Sequence, residues 1–293
     1  MRIEEFLGNR LTKLLHDAGI ATRLYHYYIA MSYALKRSRL ARKMKAVLSK
    51  NAEKIRSRRR TDRSVFIVCT GPSLREVDLS TLERRAVIGV SNLLFHPEYS
   101  KLSPIFHVEC ASHGPYSREE WIENYRRMGE RALPNTLYIL NYADHEIHAS
   151  AGAFQSENTA YYLAYSDIFH NPNPNFAAPI PNVQTGSILA LMLAVYLGYE
   201  NIFLLGVDHD YFPAMKYERS HDEGSGVGSD VKAMESQTKL LAKMHTMWEQ
   251  YDWVADEANR RGLQIYNLNP RSALETFSKI TLAEAIAKST SSP

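Results

Sequence analysis

Two cysteines, Cys69 and Cys110, are the only thiols in a chain of 293 residues. That excludes a disulfide framework, and no Cys-x-x-Cys pair is present to hold zinc. Cys69 sits inside an apolar run and reads as a packed core thiol. No apolar run approaches the roughly 20 residues that a membrane-spanning helix needs. The segment Met1–Leu15 carries Glu4 and Glu5 early and lacks the apolar stretch of a secretory signal. A reducing, cytoplasmic compartment is the resulting expectation. Internal repeats, low-complexity tracts, a Walker A motif and Gly-x-Gly-x-x-Gly are missing too.

Acid is scarce in one place. From Lys36 to Arg63 basic residues heavily outnumber Glu53 and Asp62, although the whole chain carries a net charge of only +3. The remainder is therefore acidic on balance. Residues 1–60 contain no proline and only Gly8 and Gly19 as glycine. Leu11, Leu14, Leu15, Tyr25, Tyr28, Ile29, Met31 and Leu35 fall at roughly helical spacing, and Leu40, Met44, Val47, Leu48 and Ile55 continue along one side. This reads as a helical appendage, residues 1–60, standing outside a globular core of residues 61–293. The basic stretch 36–63 suits a helix lying on an anionic membrane surface, which places the protein peripherally at an inner membrane face. Packing on the domain or a homo-oligomer contact is the alternative. The same charge suits nucleic acid, but no stacking aromatics interleave it, so no nucleic-acid partner is expected.

Beyond residue 60 the pattern changes. Ser64–Cys69, Ala86–Val90, Ile105–Val108, Leu137–Leu140, Asn201–Val207 and Leu263–Asn267 are short, continuous apolar runs. Continuous rather than alternating runs fit strands covered on both faces. Helical segments lie between them, at Leu74–Leu82, Glu119–Arg131, 186–198 and Val231–Arg261, and the tail is helical as well. Residues 141–182 read as loop-rich, broken by prolines. The expected fold is α/β: a Rossmann-like, mostly parallel sheet with helices on both faces, plus the helical N-terminal appendage.

In such a sheet, ligands sit beyond the carboxyl ends of the strands. Chemistry-bearing residues gather at those ends. Thr70, Gly71, Pro72 and Ser73 follow the first strand. Gly71 permits close backbone approach, Pro72 suits a first helical position, and Ser73 offers a hydroxyl and an N–H to an anion. Ser91 and Asn92 follow the second strand. Gln184, Thr185, Gly186 and Ser187 open a helix, where Thr185 or Ser187 is expected to cap it. Asp208, His209, Asp210 and Tyr211 follow the strongest strand. Two readings stand there. Asp208 and Asp210 can bracket a divalent metal; or Asp208 orders the turn while Tyr211 and Tyr217 donate hydrogen bonds to a leaving phosphate. His221, in a Gly/Ser-rich loop, has a pKa range suited to taking a proton from an acceptor hydroxyl.

Four segments, in order, carry a resemblance: Phe66–Leu82, Ile88–Phe95, Val183–Tyr211 and the loop Ser220–Asp230 before a long helix. Together they resemble the bacterial sialyltransferases of glycosyltransferase family 42, and equally the DUF115 or MptE-like proteins found with polysaccharide genes. The resemblance runs from about Ser64 to Leu282. It implies a transferase that moves a sugar, a nonulosonate, from a CMP-activated donor to a glycan or glycolipid hydroxyl. It places Thr70, Gly71, Pro72, Ser73, Asn92, Gln184, Thr185, Gly186, Ser187 and Asp208 at the donor. It implies that Tyr211 and Tyr217 stabilise the leaving phosphate and that His221 is the acceptor base. No metal and no cofactor are expected on this reading. Thr70 stands where that family usually has Asn, and His209-Asp210 adds one residue before the tyrosine. The MptE-like proteins imply an alternative, a diphosphokinase using ATP and Mg²⁺; a third reading is a non-catalytic accessory protein of surface glycans or motility.

Overall fold

The computed structural model describes residues 20–113, 116–165, 174–209 and 237–290; within helices it describes only the backbone of residues 20–34, 36–37, 40–41 and 237–240. In chain order the elements are α1 (Ile20–Arg58), β1 (Ser64–Val68), β2 (Val87–Val90), α2 (Tyr99–Leu102), β3 (Phe106–Val108), α3 (Arg118–Glu130), β4 (Leu137–Asn141), α4 (His145–Ala151), β5 (Thr159–Tyr162), β6 (Ala164–Tyr165), β7 (Ile180–Pro181), α5 (Gly186–Leu197), β8 (Asn201–Leu205), α6 (Gln237–Arg260), β9 (Gln264–Asn267), β10 (Ser278–Lys279) and α7 (Leu282–Thr290).

One eight-stranded sheet orders as β10-β9-β8-β1-β2-β3-β4-β5, and β6 pairs with β7 alone. Every pairing in the large sheet is parallel. The central strands β1, β2, β3 and β4 are buried at every residue. Val65 and Ile67 of β1, with Ile202 and Leu204 of β8, pack against α5, α6 and the end of α1. Phe66, Val68, Phe203 and Leu205 point to the other face, against α2, α3, α4 and α7. This alternation onto two covered faces explains why the runs read as uniformly apolar. The fold is the α/β, Rossmann-like arrangement that the runs predict.

The chain order reverses direction at β1. From β1 it steps outward through β2, β3, β4 and β5, then returns to lay β8 on the opposite side of β1. The boundary between β1 and β8 is thus the sheet's topological switch point, where adjacent connections diverge and leave a crevice.

Three expectations are corrected. Residues 74–82 are not one helix but two 3₁₀ turns, Pro72–Glu76 and Leu79–Leu82, separated by extended Val77 and Asp78. Asp78 accepts from the Ser80 N–H at 3.0 Å and starts the second turn, which favours a break over continuation. The 141–182 segment is not simply loop: it holds α4 and the edge strand β5, whose Thr-Ala-Tyr-Tyr is too short for a periodic signal but matches β propensity. The basic block does not stand outside the core. Met44, Leu48, Ala52 and Ile55 are buried, at the spacing of one helix face. Asn51 Nδ2 donates to the Tyr161 carbonyl (3.0 Å), and Lys54 Nζ donates to the carbonyls of Ser156 (2.7 Å) and Thr159 (2.8 Å). The end of α1 therefore covers the exposed edge that β5 otherwise presents.

Two buried histidines follow from this packing. His107 on β3 accepts from Tyr99 Oη at Nδ1 (2.9 Å) and donates from Nε2 to the Ser91 carbonyl (2.9 Å); a carbonyl only accepts, which fixes the tautomer. His148 lies between the rings of Tyr125 and Tyr161. Burial pushes both imidazoles down to about 4. Both are then neutral when folded but take protons near pH 6.5 when unfolded. The unfolded state binds more protons between pH 6.5 and 4, so stability falls with pH across that window. The expected loss, on the order of 3 kcal/mol per histidine by pH 4, is read from urea midpoints. A midpoint flat from pH 7 to 5 contradicts it.

Candidate functional site

The carboxyl ends of β1 and β8 meet over a backbone contact that tolerates only glycine. Gly71 N–H donates to the Gly206 carbonyl at 2.9 Å. A Cβ on Gly71 meets that carbonyl at 2.5 Å and Asp208 Oδ2 at 2.7 Å. Gly206, at φ +65°, has a Cβ position 2.5 Å from the Cys69 carbonyl. Glycine at 71 is thus required by the neighbouring turn, whatever approaches it from the cavity side. A side chain there disturbs the crossing itself.

Asp208 locks the crossing. It is buried at 4% exposure. Its carboxylate accepts from the Ser73 N–H (2.7 Å), from the Ser73 hydroxyl, and from Asn269 Nδ2 (2.8 Å). Its carbonyl accepts from Ala273 N–H (2.8 Å) and the Ser272 hydroxyl (3.0 Å). These bonds are the ones the turn-ordering reading of Asp208 requires; Asp210, its partner in the metal reading, lies outside the described residues. The hydroxyl and N–H of Ser73, expected to face an anion, are both directed at Asp208. Asn269 and Ser272, which the sequence gave no reason to single out, complete this tie from the turn after β9.

Beside the crossing lies a cavity of about 110 Å³, lined by Cys69, Thr70, Gly71, Pro72, Val90, Ser91, Thr185, Gly186, Ser187, Gly206, Val207, Asp208 and His209. It sits at the switch point, at the carboxyl ends of β1, β2 and β8. Ser91 (φ 49°) and His209 (φ 51°) hold left-handed backbone conformations on its wall. Such conformations in non-glycine residues cluster where a site needs them. The Ser91 turn is held in place by the His107 bond to its carbonyl.

The amino end of α5 opens into this cavity. Thr185 occupies the cap position but makes no side-chain capping bond, against the expectation that Thr185 or Ser187 caps the helix. The Thr185 carbonyl takes the N–H groups of Ile188 (3.2 Å) and Leu189 (3.4 Å). Gly186 and Ser187 N–H have no hydrogen-bond partner among the described residues. Gly186 lets the helix press against β2: a Cβ there meets Val90 Cγ1 at 2.6 Å. The result is two backbone donors and the positive end of a twelve-residue helix at one cavity wall.

A chain of polar side chains crosses behind that wall. His209 Nε2 lies 2.7 Å from Tyr251 Oη, Tyr251 Oη 2.5 Å from Ser187 Oγ, and Ser187 Oγ 3.3 Å from Thr185 Oγ1. Tyr251 is fully buried on α6. Burial pushes the His209 imidazole down to about 4, despite the opposing pull of Asp208; the ring is neutral at physiological pH. Tyr251 carried no sequence signal beyond being an aromatic on the apolar face of a long helix.

Of the sequence-predicted donor residues, the cavity gathers Thr70, Gly71, Pro72, Thr185, Gly186, Ser187 and Asp208. Asn92 is buried in the 3₁₀ turn after β2, outside the lining. Gln184 donates its N–H to Gln250 Oε1 (2.8 Å) and is solvent-exposed. Asp210, Tyr211, Tyr217 and His221 lie outside the described residues. Cys69 and Cys110 are held as thiols, because burial pushes both up from the usual range.

Asp208→Asn separates the two readings of this residue. An amide places N–H donors against Ser73 or Asn269, so the clamp loses about 1–3 kcal/mol. Urea denaturation checks this, with and without Mg²⁺. An unchanged midpoint, with a Mg²⁺ response lost, makes Asp208 a metal ligand instead.

No family model matches the chain, and no curated protein matches it. Among solved structures, the sialyltransferase CST-II in complex with a trisaccharide acceptor and CMP is similar at 17% identity and a TM-score of 0.42, over 74% of this chain and 86% of that one. A mutant of the α-2,3/8-sialyltransferase CstII is similar at 18% identity and a TM-score of 0.40, over the same shares.

Proposed function

We propose that this chain is a glycosyltransferase of the sialyltransferase type, moving a nonulosonate from a CMP-activated donor to a glycan hydroxyl. The observation that carries the reading is the uncapped amino end of α5, whose first residues, Gly186 and Ser187, line a switch-point cavity with N–H groups that have no partner among the described residues. Two unengaged N–H groups at a helix start form a receptor for a phosphate oxygen. The choice of reaction comes from the four motifs of the sequence, which follow the order found in the family 42 sialyltransferases.

The chemistry this reading requires is an inverting displacement. The acceptor hydroxyl attacks the anomeric carbon, the carbon–oxygen bond to the phosphate breaks, and its electrons remain on CMP. Negative charge develops on the phosphate oxygens as they leave. The Gly186 and Ser187 donors lie where such charge is best stabilised, in a cavity walled by apolar Val90 and Val207. On this reading Tyr211 and Tyr217 assist the leaving phosphate, His221 takes the acceptor proton, and no metal is needed. His209 lines the cavity, so it is the second candidate for that role, although burial has made its ring a weak base.

Calorimetric titration with CMP, cytidine, UDP and ATP, each with and without EDTA, tests the assignment. CMP is expected to bind at least about tenfold tighter than cytidine, because the phosphate faces the helix end. EDTA is expected to leave that affinity unchanged. Binding of ATP alone, dependent on Mg²⁺, overturns the reading in favour of the diphosphokinase.

A further inference from the structure

The basic block seen in the sequence divides in two once folded. Its later arginines are engaged by the protein. Arg56 Nη1 donates to Tyr196 Oη (2.5 Å), and Arg59 Nε donates to the Leu197 carbonyl (2.7 Å) while its guanidinium lies over Tyr199. Arg60 Nη2 donates to the Arg84 carbonyl (2.8 Å), and Arg63 pairs with Glu200. These side chains fasten the end of α1 to the domain.

The earlier cations make no tie to the domain; Arg42 Nε donates only to the Ser38 carbonyl of the preceding turn (3.4 Å). Arg39, Arg42, Lys43, Lys45 and Lys50 are exposed. None has an anionic partner among the described residues. The chain carries no Asp or Glu between Asp17 and Glu53. Helical geometry explains the exposure. Met44, Leu48, Ala52 and Ile55 face the core, and at 3.6 residues per turn Arg39, Arg42, Lys43 and Lys50 fall on the opposite side. Two aliphatic residues stand among them in solvent, Leu35 at 55% and Val47 at 40% exposure.

We infer that this face of α1 is a docking surface for an anionic phospholipid membrane, with Arg39, Arg42, Lys43 and Lys50 on the headgroup phosphates and Leu35 and Val47 at the headgroup–acyl boundary. Charge complementarity selects a polyanionic occupant. The exposed aliphatics select lipid over nucleic acid, since they have an apolar phase to enter at a bilayer and nothing to meet on a phosphodiester backbone. No aromatic residue lies between Leu35 and Lys50 to stack on a base. No helix among the described residues is long and apolar enough to cross a membrane, so the contact is at the surface. The fixed docking of residues 44–58 on the domain sets the orientation: the cationic face looks away from the sheet. The inference is independent of the proposed transfer reaction.

Co-sedimentation of the full chain with phosphatidylcholine vesicles containing 0, 20 or 40% phosphatidylglycerol tests it. The protein is expected to bind in proportion to anionic lipid and to be released by high salt. The fourfold variant Arg39→Glu, Arg42→Glu, Lys43→Glu, Lys50→Glu touches no core residue; it is expected to keep the melting temperature and lose binding on the order of 10²-fold or more. Reversing Lys101, Arg118, Arg126 and Arg131 instead, all exposed on other elements, changes net charge equally and is expected to leave most binding intact. Leu35→Ser with Val47→Ser is expected to weaken binding severalfold at constant charge. Absence of binding at 40% phosphatidylglycerol overturns the inference, as do equal losses in both charge-reversal variants. Tighter binding to an RNA oligonucleotide, lost in the first variant, assigns the face to nucleic acid instead.

Discussion

The backbone crossing between the turns after β1 and β8 is the constraint on which the rest of the site depends. Parallel strands at a switch point diverge in their connections, and something must hold the two exits at a fixed separation. Here Gly71 and Gly206 bring the chains to van der Waals limits. Asp208 then ties Ser73 on one side to Asn269 on the other. A buried carboxylate is costly unless its oxygens are hydrogen-bonded. Asp208 has donors on both oxygens, so its burial becomes a geometric restraint. With that crossing fixed, Thr70 and Pro72 are held on one cavity wall and Val207 and His209 on another. The remaining wall, the start of α5, is set by Gly186 against Val90.

The helix α5 links this local geometry to the core. It is buried along nearly its whole length, so its position is dictated by apolar packing on β1, β2 and β3. A helix placed that way has little freedom to adjust its end to a ligand. Its Gly186 and Ser187 donors are therefore preorganised, which is what stabilisation of developing charge requires. The chain of Ser187, Tyr251 and His209 adds stiffness from the α6 side, and Gln250 of α6 holds the loop before α5 through both Gln184 and Asn182. The proposed phosphate receptor is thus braced from the sheet and from α6.

The strands were legible because burial on both faces leaves a continuous apolar run, as in β1, β2 and β8; β3 interrupts it only with His107, and β9 is half-buried with polar ends. The weaker elements were not. β5 is an edge strand whose identity comes from pairing with β4 and from cover by α1, neither of which a four-residue segment announces. The lining of the site was largely legible, since Thr70, Pro72, Thr185, Gly186 and Asp208 all sit at ends of legible elements. What each one does was not. Ser73 and Asp208 are 135 positions apart, and nothing local reveals that one consumes the donors of the other. Tyr251 joins the site from a helix face that reads only as core. The fate of the basic block was half legible: its charge was evident, but not that Met44, Leu48 and Ile55 anchor it in the core while Arg39, Arg42, Lys43 and Lys50 face solvent.

A structure of the protein crystallised with CMP tests the central claim most directly, that the start of α5 at the β1–β8 switch point receives the phosphate. The account predicts a phosphate oxygen about 3 Å from the Gly186 or Ser187 nitrogen, with the Gly71–Gly206 crossing and the Asp208 bonds unchanged. A phosphate bound elsewhere on the molecule, or reached only after the Asp208 clamp has opened, contradicts it.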